Sequence, residues 1–362
     1  MNLEKIKNLD WIMLTVIFLL IGLGLVTIAS TLYPTNLINF KRQIIFAGFG
    51  LALMLLISFL NYRVLKNYTL GLIFLYLISI GLLVAVLFWG TKIRGSSSWF
   101  SLGPLSLQPV EILKPVLIIV LAKYFADHYR EMYRLRHLFI SGLIVALPAG
   151  LILIQPDLGS LLVIIGIWLG LMILSGIKLR HLLLLGVVGC LITLLSWFFF
   201  LQDYQKARIL AFINPNLDPL GQGYNVIQSI IAVGSGGLLG KGLGQGTQSQ
   251  LNFLPEQHTD FIFAVVAEEW GFIGVLFVLI LFGVLFFRLI KVALASSDNF
   301  GRLLSAGVAI MLFFHLIINI GMNMGLVPIT GIPLPLLSYG GSSLVATLIS
   351  LGLVQGVKIR ST

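Results

Sequence analysis

The chain has 362 residues, 58% hydrophobic and 10% charged, with a formal net charge of +10. An average soluble domain carries about 25% charged residues, so a water-soluble globule is excluded, and so is a disordered chain. The composition is that of an integral membrane protein, whose positive balance reflects loop topology; no nucleic-acid partner is expected.

A spanning helix needs about 20 mostly apolar residues. In chain order, about ten segments qualify: 11–30, 44–60, 68–88, 109–126, 138–154, 159–175, 182–202, 260–287, 304–325 and 341–357. Lys5 and Lys7 precede the first. Its apolar run is too long for a signal peptide and no small-residue cleavage site follows, so it is kept as a helix. Gln155, Pro156 and Asp157 interrupt the long apolar run between the fifth and sixth. The expected fold is an all-α integral membrane protein of about ten transmembrane helices, a single polytopic domain over 1–362.

One set of loops carries Lys5, Lys7, Arg63, Lys66, Lys123, Arg130, Arg134, Arg136, Lys178, Arg180, Arg288, Lys291, Arg302, Lys358 and Arg360. The other carries Lys41, Arg42, Lys92, Arg94, Lys206, Arg208 and Lys241. The richer set is cytoplasmic by the positive-inside rule, which puts both termini inside. The outside then holds two substantial segments, 89–108 and a large extracytoplasmic loop at 203–259 between helices 7 and 8. Long ordered loops tend to carry function, so the working face is expected there.

The lone Cys190 excludes an internal disulfide and a cysteine metal site. The five histidines are scattered, with no H-x-x-x-H pair. Pro109 suits the start of the fourth helix, where Glu111 meets the positive end of the dipole. Glu111 and Lys114 share a face, either as a self-neutralising pair or as a polar site below the outer surface. Asp157 suits an N-cap of the sixth helix, or it faces an outer cavity. The glycine-rich stretch 234–246 fails as a Walker A loop, leaving a backbone cradle or a flexible loop.

Asp260, Ala264 and Glu268 are spaced by four. They are expected on one stripe of the eighth helix, with the two carboxylates about 12 Å apart along its axis. From position alone Asp260 is a helix-terminus carboxylate. Glu268 and Glu269 are too deep for surface charges; they need partners inside the bundle or are protonated. Three prolines in 328–335 force a non-helical hairpin before the last helix, structural or lining a cavity. These residues fit an enzyme acting on a lipid-linked anionic substrate, and equally a transporter.

Four motifs, QPVEILK (108–114), QPDLGS (155–160), LPEQHTDFIF (254–263) and PITGIPLPLLSYGGSS (328–343), resemble those of the SEDS family. That family comprises bacterial shape, elongation, division and sporulation proteins, and the resemblance covers essentially the whole chain. QPDLG, the short tails and the ITGIPLP hairpin are most similar to its elongation branch. Val110 stands where the family often has Ser, and Ser98 where it often has Arg before the tryptophan.

The resemblance implies a peptidoglycan glycosyltransferase of the bacterial cytoplasmic (inner) membrane. It would polymerise lipid II into an undecaprenyl-linked glycan by inverting transfer, with undecaprenyl diphosphate leaving. It assigns catalysis to Asp260 and substrate binding to Arg42, Glu111, Lys114, Asp157 and Arg208. It implies a class B penicillin-binding protein (transpeptidase) and an actin-like elongation machinery as partners. The chemistry needs a base for the attacking hydroxyl and cations for the leaving diphosphate. No metal cage is visible, so a divalent cation, Mg²⁺ or Mn²⁺, would be held weakly with the diphosphate. A lipid II flippase and a non-catalytic scaffold are the alternatives. Loops clustered on one face and the lack of a clear inverted repeat weigh against the flippase.

Overall fold

The computed structural model describes residues 7–32, 37–93, 96–102, 105–132, 134–199, 201, 203–219 and 221–361. Lys5 and Arg94, used in the charge distribution above, lie outside them. The long helices are α1 (Trp11–Leu32), α2 (Leu37–Phe59), α3 (Thr69–Trp89), α4 (Pro109–Asp127), α5 (Leu135–Ile154), α6 (Leu158–Leu174) and α7 (Leu179–Phe199). After α8 (Asp203–Ile213) and α9 (Gln222–Ser235) come α10 (Ile262–Ala295), α11 (Asn299–Asn323) and α12 (Gly341–Ser361).

Every expected apolar segment lies on a helix. Eight of these helices are long and apolar enough to cross a bilayer, while α6 is shorter. Helix α4 carries Glu111, Lys114, Lys123 and Asp127 within its apolar run. The protein is a multi-pass, helical membrane protein. Helices α11 and α12 run through the middle, whereas α7 leaves its apolar surface uncovered. Large exposed side chains such as Leu70, Phe74 and Phe88 on α3 fit a lipid surround. Helices α2 and α12 pack closely because Gly352 lies against the backbone of Met54, where a side chain would collide.

One end of the bundle is fastened by charges. Asp10 caps α1 through the Met13 amide (3.0 Å) and pairs with Arg288 (2.7 Å). Gln355 bonds both backbone groups of Asp10. Asp298 caps α11 through the Gly301 amide and accepts from Tyr62 and Lys66. Arg360 donates to the carbonyls of Ser58 and Phe59, closing α12 onto the end of α2.

The other end departs from the expected all-helical layout. Residues 91–107 form a small antiparallel sheet, β1 (Thr91–Ile93), β2 (Ser96–Leu102) and β3 (Leu105–Leu107), with Phe100 opposite Leu107 and Ser101 opposite Ser106. Its aromatic residues Trp99 and Phe100 suit a half-covered strand. The 203–259 loop is itself largely helical, holding α8, α9 and a short helix at Thr247–Gln250.

Helix α10 begins two residues later and ends eight residues further on than expected, and it is broken. Gly271 has φ 65° and ψ −162°, a conformation open essentially to glycine alone. The glycine-rich segment closes the break: Gly237 and Leu238 carbonyls accept from the Phe272 and Ile273 amides at 2.9 and 3.2 Å. Asp260 and Glu269 meet different helix ends. The backbone of Asp260 contacts Asn323, the last residue of α11, and Glu269 accepts from Ser30, near the end of α1 (2.7 Å). Residues 262–270 therefore cross the end of the bundle before Gly271 turns the chain inward. Glu268 and Glu269 are buried and partnered as expected, but the helix that carries them is broken just after them and not continuous.

Candidate active site

At this end a cavity of about 530 Å³ opens among the sheet, α8, the turn before α10 and the hairpin before α12. Asp157, Arg208 and Asp260 all line it, brought together from positions up to a hundred residues apart in sequence. Trp99, Gln108, Glu256, His258, Thr330 and Tyr339 line it too. Arg42, Glu111 and Lys114 are not among the lining residues. Neighbouring positions on a helix point in different directions, and on α2 Gln43 is tied to the hairpin before α12. Its side chain donates to the Ser338 carbonyl (3.1 Å) and accepts from the Gly340 amide (3.2 Å).

Asp260 sits in a turn, not in the helix. Phe261 occupies the N-cap position of α10. The Thr259 and Phe261 amides both donate to the Glu256 carbonyl, and Glu256 has φ 50°, an uncommon left-handed conformation for its residue type. Its backbone is gripped from α11: Asn319 and Asn323 donate to the Asp260 carbonyl at 3.0 and 3.1 Å. One carboxylate oxygen lies beside Gly331 of the proline hairpin. That hairpin braces the turn and also lines the cavity. Ser338 Oγ donates to the Thr259 carbonyl (2.6 Å), and the Tyr339 amide to the His258 carbonyl (2.8 Å).

Asp157 fulfils both sequence readings. It caps α6, accepting from the Ser160 amide (3.0 Å) and hydroxyl (2.7 Å), and it faces the cavity, where Gln108 donates to it (3.2 Å). Glu111 and Lys114 form a buried ion pair of 2.6 Å behind the cavity wall. His315, one of the histidines with no spacing signal, completes it. Its Nδ1 sits 2.7 Å from the Met311 carbonyl and must donate there, so Nε2 accepts from Lys114 at 2.8 Å.

Glu268 and Glu269 are gripped by the glycine-rich segment. Glu268 accepts from Lys241 (2.9 Å) and the amides of Gln248 and Ser249, and Glu269 from the Gly244 amide (3.1 Å). The cradle for these two carboxylates joins the glycine-rich stretch, through Lys241 and the Gly244 amide, to the short helix after it, through the Gln248 and Ser249 amides. Among the described residues, no three His, Cys, Asp or Glu gather as a metal site.

A second, apolar cavity of about 680 Å³ runs between α2, α3, α4 and α12, lined by Phe46, Phe49, Leu75, Ile112, Val116, Val345 and Ile349. Ser106 borders both cavities.

A family model described as cell cycle protein, covering FtsW, RodA and SpoVE, matches residues 10–362. The chain is 39% identical over 320 residues to peptidoglycan glycosyltransferase MrdB of Escherichia coli K12, covering 88% of this chain and 85% of that one. It is 39% identical over 357 residues to stage V sporulation protein E of Bacillus subtilis, covering 96% and 95%. A chain of a peptidoglycan synthase complex that coordinates polymerization and crosslinking superposes with a TM-score of 0.83 at 39% identity, over 98% of both chains. The rod shape determining protein RodA of Thermus thermophilus superposes with a TM-score of 0.72 at 36% identity, over 97% and 96%.

Proposed function

The chain belongs to the FtsW/RodA/SpoVE family of cell cycle proteins, and from that premise we propose that it is a peptidoglycan glycosyltransferase of the RodA type, polymerising lipid II in cell elongation with Asp260 as its base. The observation that carries this reading is the meeting of Asp157, Arg208 and Asp260 in one polar cavity that adjoins an apolar one at Ser106. A lipid-linked sugar needs that division, with tail and head held in different solvents.

Asp260 accepts the proton of the acceptor sugar's 4-hydroxyl as that oxygen attacks the donor's anomeric carbon. A positioned base contributes roughly 10²–10⁴-fold. Attack opposite the leaving group inverts the centre, so no covalent sugar–enzyme bond forms. Undecaprenyl diphosphate departs with the bonding electrons, and Arg208 stabilises its charge. Asp157 orients this wall through Gln108 and Ser160. A divalent cation, Mg²⁺ or Mn²⁺, would be held mainly by the diphosphate together with one carboxylate of the cavity. That ion would supply Lewis-acid stabilisation of the leaving group.

The cavity faces the extracytoplasmic side of the bacterial cytoplasmic membrane in this reading, with both termini inside. The gathering of Arg63, Lys66, Arg288 and Arg360 at the opposite end supports it. A class B penicillin-binding protein is the proposed partner, supported by the superposition on a chain of a synthase complex. A flippase would need a polar path through the midplane. Here Glu268 and Glu269 are held by the end loop, and Glu111, Lys114 and His315 satisfy one another.

Reconstitution tests the proposal. Wild type and Asp260→Asn are each combined with a class B partner that lacks its own glycosyltransferase, lipid II and Mg²⁺ or Mn²⁺, and glycan is resolved on a gel. Wild type should give polymer, and a variant with unchanged melting behaviour should give none. Full polymer yield from the folded variant would refute the assignment of Asp260.

A further inference from the structure

We propose that Asn323, seconded by Asn319, is a positioning residue that holds Asp260 out of helix α10 and keeps its carboxylate on the cavity. The inference rests on the reading of Asp260 as the base.

In a regular α-helix the carbonyl of residue 260 would accept from the amide of residue 264. Here the side-chain amide of Asn323 is inserted into that bond. Its Nδ2 donates to the Asp260 carbonyl at 3.1 Å, and its Oδ1 accepts from the Ala264 amide at 3.2 Å. The following bond, from the Val265 amide to the Phe261 carbonyl, is direct at 3.2 Å. The first turn of the helix therefore closes directly from the Phe261 carbonyl and is spread open at the preceding bond, the one that would have included Asp260. A carboxamide is suited to this place because it offers a donor and an acceptor on one plane, as a peptide group does.

Asn319 lies one turn earlier on α11 and acts on the same carbonyl. Its Nδ2 has two hydrogens, given to Asp260 (3.0 Å) and to the Ile332 carbonyl (2.7 Å). It thus ties the Asp260 turn to the hairpin whose Gly331 lies beside the carboxylate. Both asparagines are completely buried in a largely apolar helix. An amide there is costly unless it is bonded, and these spend their bonds on the backbone of the residue that needs placing. Ser229 fixes the end of α11 from α9, donating to the Asn323 backbone carbonyl at 2.8 Å.

Without the inserted carboxamide, the Ala264 amide loses that acceptor and the Asp260 carbonyl, still held by Asn319, can accept from it as in a regular helix. Closing that bond adds Asp260 to the helix and turns its side chain. Misplacement of a reacting group by about 1 Å can cost 10²-fold.

The test measures polymerisation against lipid II concentration for the full chain with its class B partner, in Asn323→Ala, Asn323→Asp, Asn319→Ala, Ser229→Ala and Asp260→Asn, with a thermal melt of each. Asn323→Asp keeps the shape and the acceptor towards Ala264; when ionised it loses both Nδ2 bonds, to the Asp260 and Asn319 carbonyls, and sets a carboxylate oxygen against them. It carries the test where the alanine variant fails to fold. Expected is a kcat reduced about 10- to 100-fold in the Asn323 variants, with KM within about twofold, and a smaller loss in Asn319→Ala. Ser229→Ala, which removes the 2.8 Å bond to the Asn323 backbone carbonyl and only a longer 3.4 Å contact to its Oδ1, leaves the carboxamide's bonds to Asp260 and Ala264 in place and should keep most of its turnover. Full kcat in a folded Asn323 variant overturns the proposal. So does a fall of kcat and melting temperature in Ser229→Ala equal to that in Asn323→Ala, which marks general loosening. Polymer from Asp260→Asn instead removes the base assignment, and with it the premise.

Discussion

Replacing Lys114 by methionine should destabilise the bundle more than replacing Lys114 and Glu111 together. The Lys114 ammonium lies 2.6 Å from Glu111 and 2.8 Å from His315, with the lysine and glutamate side chains 2% and 5% exposed. Water therefore screens the pair little. Lys114→Met alone strands a carboxylate in the bundle, at about 3–5 kcal/mol, and leaves His315 Nε2 without its donor. Adding Glu111→Gln removes the stranded charge, so the double variant should recover most of the electrostatic part. What stays lost is one or two hydrogen bonds, each about 1–3 kcal/mol. The assay is thermal and chemical unfolding of wild type, both single variants and the double variant in one detergent. A double variant as unstable as Lys114→Met, or less stable, refutes the pairing argument. Polymerisation by the same proteins answers a separate question. Activity that returns with stability assigns the pair a structural role behind the cavity wall. Stability without activity restores the substrate-binding role that resemblance implies for Glu111 and Lys114.

Two further outcomes follow from the crossing segment of α10. Gly271→Ala places a Cβ against the Gly240 amide nitrogen and 2.7 Å from the Leu238 carbonyl, at a backbone angle alanine avoids. The strain of about 1–3 kcal/mol should detach the glycine-rich segment, read as new cleavage between 237 and 246 in limited proteolysis; an unchanged digest would show that the break tolerates a side chain. Glu268→Ala removes the acceptor for Lys241 and for the Gln248 and Ser249 amides. Those two amides should exchange hydrogen about tenfold faster or more if each loses about 1.4 kcal/mol of protection, and unaltered exchange would refute the cradle.

The helices were legible because an apolar run of this length has few other uses in a protein so poor in charge. Their limits were less so. Helix α2 starts at Leu37, before Lys41, Arg42 and Gln43, whose polarity hid its first turns. The break at Gly271 left no mark in the sequence, because one glycine in an apolar run reads as continuing helix. Its cause is a bond to Gly237 and Leu238 over thirty residues earlier. In the cavity, the motifs pointed to Asp157 and Asp260, and the family resemblance to Arg208. Asn319 and Asn323 were visible as polar residues four apart on an apolar helix, one turn beyond His315. What they hold is a backbone carbonyl some sixty residues away, and side-chain spacing carries no signal for a backbone acceptor.

That stripe on α11 also bears on the choice between enzyme and transporter. Alternating access needs intramembrane polar groups that exchange partners between two states. His315, Asn319 and Asn323 instead hold the Lys114–Glu111 pair, the Asp260 turn and the proline hairpin to one helix through short, buried hydrogen bonds. Moving α11 relative to α4 would break the Lys114–His315 bond, and moving it relative to α10 would release Asp260. Each break exposes a buried polar group at a cost of about 1–3 kcal/mol, without an evident substitute partner one turn away. A rigid frame of this kind suits a base that must be in place before its substrate arrives. It is a poor hinge, and this weighs for glycosyl transfer over transport.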